Sequence, residues 1–219
     1  MLHMKGELMT YSFSRSFFAW SAAAILVAGF AAPHAAADSL LSGFEGNLNT
    51  STGPSWTTGL PHSFVPGGAT EGASAIQITH GTGWTQNFLL QSVQVAALIA
   101  ANDKFEFDVT TPATQSWRQV FVVMNGTGKP WQAYQFDPAP GATTHFALDL
   151  VATGVKAIAA NNPTFWEMEF IFQGGDSTGA PQISTTLDNL RFTAIPEPAT
   201  CGLAAAAMLG LFVVQRKRC

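Results

Sequence analysis

The chain has 219 residues, of which only 11% are charged, and a formal net charge of −4. Between residues 38 and 195, seven Asp and five Glu stand against three Lys and two Arg, a balance that excludes a nucleic-acid binder, whose phosphate-facing surface must be basic. Both cysteines, Cys201 and Cys219, lie near the C-terminal end, so the central region can form no disulfide, thiolate zinc site or cysteine nucleophile.

At the N-terminal end, Lys5 and Arg15 precede an apolar stretch from Phe17 to Ala32. Ala35 and Ala37 follow in the A-x-A spacing that precedes signal-peptidase cleavage. This predicts a signal peptide over residues 1–37, with Met4 and Met9 as alternative starts. Residues 38–194 then have the length of one domain.

That domain reads mostly with a period of two. "KFEFDVT" sets Phe105, Phe107 and Val109 against Glu106 and Asp108, and "THFALDL" repeats the pattern with Phe146, Leu148 and Leu150. "SWRQVFVVMN" is apolar on both faces from Val120 to Met124, as a central strand would be. Asn125-Gly126-Thr127-Gly128 reads as a hairpin loop into "WQAYQF". "SAIQITH" and "GWTQNFLL" read as a hairpin around Gly81-Thr82-Gly83. "FWEMEFIF" puts Trp166, Met168, Phe170 and Phe172 on one side, with Glu167 and Glu169 as solvent-facing residues of an edge strand. Short helical turns are expected at 93–100 and 155–160. The fold class predicted is all-β, a jelly-roll β-sandwich of about eight strands.

From Ala199 to Val214 the chain is apolar apart from Thr200, and a helix of that length rises roughly 24 Å at 1.5 Å per residue. Arg216, Lys217 and Arg218 follow, with stems long enough to snorkel and charges that favour a cytoplasmic end. Pro196-Glu197-Pro198 stands ahead of the helix. "PEPATCGLAAAAMLGLFVVQRKR" resembles the PEP-CTERM sorting signal in all three parts: the Pro-Glu-Pro triplet, the short span and the basic stop. The resemblance covers residues 195–219 and implies a substrate of exosortase, a membrane protease-transferase of Gram-negative bacteria that make exopolysaccharide. It makes Pro196, Glu197 and Pro198 the recognition element and the inner membrane a transient partner.

A second resemblance spans most of residues 38–194. "LSGFEG", "TEGASAIQIT", "NDKFEFDVT" and "LDNLRF" occur in the order seen in galactose-binding-like jelly rolls, a fold that includes many carbohydrate-binding modules. It implies a structural Ca²⁺ where the termini meet, with Glu45 and Asp188 as carboxylate ligands and loop carbonyls near Gly72 to Ser74 completing the six to eight oxygens calcium takes. Capping of turns or backbone amides is the alternative use for both carboxylates.

Flat aromatic rings stack on the apolar faces of sugars, and neighbouring amides bind the hydroxyls. Trp84 and Gln86 share a strand face, as do Trp117 and Gln119, with Arg118 alongside. Trp131, Gln132 and Tyr134 lie across the hairpin loop. Tryptophan in a cysteine-free sandwich also fills the core, and Trp166 fits that use. Trp84, Gln86, Trp117, Gln119, Trp131 and Tyr134 are therefore the candidate ligand-binding set. Glu167 and Glu169 are the best carboxylate pair on a common face, roughly 6.5–7 Å apart along a strand, near the separation in inverting glycosidases. They lack the spacing of the laminarinase motif, and no nucleophile elbow, zinc-binding helix or phosphate loop occurs. The sequence thus predicts no enzyme but an exported cell-surface or extracellular-matrix protein that binds polysaccharide. A structural biofilm or surface-layer component is the alternative, and a glycan-degrading enzyme a distant one.

Overall fold

A computed structural model describes residues 38–195 apart from Thr52, Ser92 and Phe165. The expected signal peptide and sorting signal, including Pro196, Glu197, Pro198, Arg216, Lys217 and Arg218, lie outside the described residues. The strands are β1 (Ser39–Ser42), β2 (Thr57–Thr58), β3 (His62–Val65), β4 (Ala75–Gly81), β5 (Thr85–Gln91), β6 (Lys104–Thr110), β7 (Gln115–Gly126), β8 (Ala133–Phe136), β9 (Thr143–Asp149), β10 (Trp166–Asp176) and β11 (Gln182–Thr193). Two helices, α1 (Val93–Ala101) and α2 (Val155–Asn161), lie where the sequence places helical turns.

The strands form two sheets. The first runs β3-β4-β11-β6-β9, and β1 pairs with β11 at Leu190 to Phe192, beyond the point where β4 leaves it at Leu187. The second runs β2-β5-β10-β7-β8. The predicted all-β sandwich is therefore present, with eleven strands rather than eight. Strands β1, β2 and β3 have only two to four residues, too short to carry a periodic signal. Two local readings are corrected. "SAIQITH" and "GWTQNFLL" do not form a hairpin: β4 belongs to the first sheet and β5 to the second, so the glycines at 81 and 83 carry a crossover between layers. Strand β10 is the centre of its sheet, flanked by β5 and β7, and not an edge.

The core follows the alternation. Phe105, Phe107 and Val109 of β6 face Met168, Phe170 and Phe172 of β10 and Val120, Val122 and Met124 of β7, all fully buried. Phe170 sits at the centre, with ring centroids of Phe107 at 5.2 Å and 80° and of Trp56 at 5.7 Å. Such tilted contacts are the geometry aromatic quadrupoles favour. Trp56 itself lies flat on Phe88 at 4.8 Å. Helices α1 and α2 pack on each other and add Val95, Ile99, Val155 and Ala159 to the core.

At the opposite end of β4 the core closes on polar groups. His80 is buried, with Nδ1 against the Gly81 carbonyl at 2.8 Å, Nε2 against Thr185 Oγ1 at 2.9 Å, and its ring stacked on Phe172. Burial holds the imidazole down at about 4, with the Arg118 charge acting in the same direction. Arg118, predicted to flank the candidate ligand-binding residues, instead turns inward and donates to the carbonyls of Gly175 and Ser184.

Between β3 and β4, residues 70–74 are held by two carboxylates. Gly72 has φ +70, and a Cβ built there would lie 1.8 Å from Glu45 Oε1. Gly72→Ala is therefore expected to cost about 1–2 kcal/mol for the left-handed backbone, and more as Glu45 is displaced. A denaturant midpoint unchanged in the variant would contradict this.

Candidate functional site

Residues of the second sheet that alternate with the core set form its outer face: Trp117, Gln119, Phe121 and Val123 on β7, and Glu167, Glu169, Ile171 and Gln173 on β10. Here Phe121, Val123 and Ile171 make a second, smaller hydrophobic cluster, with Ala133 of β8 packed against it. The apolar run of β7 thus serves two surfaces: Val120, Val122 and Met124 fill the sandwich, and Phe121 and Val123 floor the outer face.

Trp84 and Trp131 stand over that floor. Trp84 lies 4.7 Å from Phe121 and 6.4 Å from Trp131, ring centroid to centroid. β5 and β7 flank β10, so these rings reach across a gap of roughly 10 Å between strands, over Ile171. The backbone places them. Asn87, at φ 88, occupies the irregularity where β5 slips against β10, between the Phe170–Phe88 and Phe172–Thr85 pairs. Asparagine tolerates this left-handed region, and such bulges re-aim neighbouring side chains. Alternation from Thr85, which pairs with inward Phe172, puts Gln86 beside Trp84 on the outer side. Trp131 follows Pro130, which cannot donate to a ladder, after the turn closed by Lys129 N–H to the Gly126 carbonyl at 2.9 Å.

Trp117 lies four residues from Phe121 along β7, roughly 13 Å away. Its indole crosses Gly175, where a Cβ would sit 2.6 Å from Nε1, so only bare backbone fits beneath the ring. Between Trp117 and the Trp84–Trp131 pair, the Gln173 side-chain amide donates to Gln119 Oε1. Trp84, Trp117 and Trp131 are 46%, 47% and 49% exposed, the three aromatic residues among the exposed large hydrophobics of the described region. Five of the six candidate ligand-binding residues thus share one face. Tyr134 does not: it pairs with inward-facing Val122 and packs against the main core, its hydroxyl 3.3 Å from Gln132 Oε1.

The far end of this face is acidic. Glu169 is only 8% exposed and accepts the Asn87 amide at 3.3 Å. Burial pushes its carboxyl up, and the neighbouring Glu167 adds to this. Glu167 accepts the Gln91 side-chain amide at 2.6 Å. The sequence singles out Glu167 and Glu169 as a carboxylate pair but puts them on an edge strand, and it leaves out the floor residues Phe121, Val123 and Ile171. The available signal was Phe121, which shares the alternation of Trp117 and Gln119.

Glu45 and Asp188 sit in a separate place, at the 70–74 segment. Glu45 Oε1 accepts the amides of Ala73 at 2.8 Å and Ser74 at 3.4 Å, and Asp188 Oδ2 accepts those of Thr70 and Glu71 at 2.5 and 2.8 Å. The segment therefore meets Glu45 Oε1 and Asp188 Oδ2 with backbone N–H donors, while Asp188 Oδ1 is buried with no hydrogen-bond partner among the described residues. No three His, Cys, Asp or Glu among the described residues are grouped to hold an ion. Both carboxylates hold backbone amides, the alternative use the sequence offers for them. Burial raises the Asp188 carboxyl against those same amides. Across the ladder Asp108 is also buried, but hydrogen bonds from Thr70, Asn189 and His145 outweigh its desolvation and hold it low. The His145 Nδ1–Asp108 contact is 2.6 Å.

No protein-family model and no curated protein matches the chain. Among solved structures it is similar to a family 11 carbohydrate-binding module from Clostridium thermocellum in complex with a β-1,3-1,4-mixed-linked tetrasaccharide, at 11% identity and a TM-score of 0.46, over 73% of this chain and 97% of that one. A family 11 module of a cellulosomal cellulase from the same organism gives 12% and 0.45, over 74% and 96%. A C-terminal family 22 module, also from Clostridium thermocellum, gives 10% and 0.44, over 76% and 98%. Its neighbours among solved structures are thus carbohydrate-binding modules, but likeness this remote does not bear on the ligand. The chain's own outer face carries three half-exposed tryptophans, Trp84 and Trp131 by the Phe121, Val123 and Ile171 cluster and Trp117 over Gly175.

Proposed function

We propose that the chain is an exported cell-surface or extracellular-matrix protein that binds polysaccharide on the outer face of its second sheet. One observation carries the binding half: Trp84, Trp117 and Trp131 expose their rings on the same face, with Gln86, Gln119 and Gln173 among them. Exposed indoles in a row suit a flat ligand with apolar faces and hydroxyl edges, which is the description of a polysaccharide chain. The export half rests on residues 1–37 and on the Pro196-Glu197-Pro198 tail, which supports exosortase as processing partner and passage through the inner membrane. Nothing in this reading needs catalysis or a metal.

The binding half is tested by affinity electrophoresis of the full chain. It is held in a polyoxyethylene detergent so that no glycoside headgroup competes, with each polysaccharide of a panel cast into the gel. Retardation by at least one polysaccharide is the expected result; unchanged mobility throughout the panel would remove the proposal. Reducing-sugar release that disappears in Glu167→Gln would instead favour a glycan-degrading enzyme.

A further inference from the structure

Resting on that reading, we infer that the outer face selects uncharged glycans and rejects polyanionic ones, and that Glu167 and Glu169 set this selectivity. The charges of the second sheet point one way. Its strands and the β7–β8 loop carry two cations among the described residues, Arg118 and Lys129. Neither serves the face. The Arg118 guanidinium lies between the layers on the carbonyls of Gly175 and Ser184. The Lys129 ammonium is bound to Gln132 Oε1 at 2.8 Å and lies 6.0 Å over the ring of Tyr134, on the core side. A uronate, sulfate or phosphate group laid on the indoles would find no ammonium or guanidinium there.

It would find carboxylates instead. Glu167 and Glu169 project from the central strand at one end, and Asp137 follows β8, bound at 3.0 Å to Gln135, which pairs with Phe121. Glu169 is the significant one. A carboxylate this buried on an outward face is poorly screened by salt, and burying an anionic ligand group beside it desolvates two like charges together. Hydroxyls impose no such cost, because each can donate to a carboxylate or amide oxygen and accept from an amide N–H. Gln86, Gln91, Gln119, Gln135, Gln173 and Asn125 of the same face carry neutral amides. Like-charge juxtaposition is an ordinary way for an interface to reject wrong partners.

Polymer pairs that share a backbone, one neutral and one anionic, test this: hydroxyethylcellulose against carboxymethylcellulose, and hydroxyethyl starch against carboxymethyl starch. The full chain is run by affinity electrophoresis at low ionic strength. In a pair whose neutral member retards it, the anionic member is expected to bind at least tenfold more weakly. The gap should narrow in Glu167→Gln and most in Glu167→Gln/Glu169→Gln, and only slightly in added NaCl, which screens Glu167 but little of Glu169. The single variant changes a partly exposed residue and guards against misfolding of the double one, whose circular dichroism is compared with wild type. Equal or stronger retardation by the anionic member would overturn the inference while leaving polysaccharide binding intact. No retardation by any polysaccharide, neutral or anionic, would overturn both.

Discussion

Replacing Trp84 and Trp131 together by alanine is expected to weaken binding about 100-fold or more for any polysaccharide that retards the wild-type chain. Truncating one central aromatic anchor typically costs about 2 kcal/mol, and every 1.4 kcal/mol is tenfold in affinity. The two indoles touch at 6.4 Å and share the floor made by Phe121 and its neighbours, so their losses will not simply add. Trp117→Ala should cost roughly tenfold by itself, since that ring stands roughly 13 Å along β7 from the pair and contributes a separate contact. Tyr134→Phe should change nothing, because Tyr134 packs on the core side. All three rings are half exposed, so the variants should fold. Trp84→Ala uncovers part of Phe121 and should lower stability by about 1 kcal/mol. Isothermal titration with the retarding polysaccharide checks the set, and undiminished affinity in the double variant would show that the aromatic face is not where ligand binds.

Acid should destabilise the chain through one buried imidazole. His80 is held at about 4 by burial, against an ordinary histidine value near 6.5. As pH falls below 6.5 the unfolded chain takes up this proton and the folded chain does not, so stability is full above 6.5 and declines towards 4. The difference amounts to roughly 3 kcal/mol by pH 4. Glutamine at this position can still donate to the Gly81 carbonyl and accept from Thr185 Oγ1, and it does not titrate. Urea unfolding of wild type and His80→Gln, compared at pH 7 and pH 4, should show wild type losing about 3 kcal/mol more. The comparison cancels the other groups: Asp103 and Asp108, held low, lose stability as pH falls through their folded values. Asp188 and Glu169, held high, relieve a cost over the same descent. Parallel losses in the two proteins would mean that His80 is not shielded in solution.

Strands β6, β9 and β10 are readable from residue order because apolar and polar side chains alternate along much of each, a local property of the backbone, and β7 is readable from its continuous apolar run. Alternation also tells which residues of one strand share a face, so Trp117 with Gln119, and Trp84 with Gln86, could be paired without coordinates. Composition similarly separates the acidic, cysteine-free region from the two oily ends. Which strands become neighbours is another matter. It depends on contacts between residues far apart in the chain, whose strength lies in packing rather than in local preference. The sequence therefore could not show that β10 lies between β5 and β7, and so brings Trp84 over Phe121 and buries Glu169. Nor could it show that Tyr134 and Arg118 turn inward, or that amides rather than carbonyls of residues 70–74 meet Glu45 and Asp188. Alternation decides the two faces of each strand, but only the layering of the sheets decides which face becomes core and which side chains become neighbours.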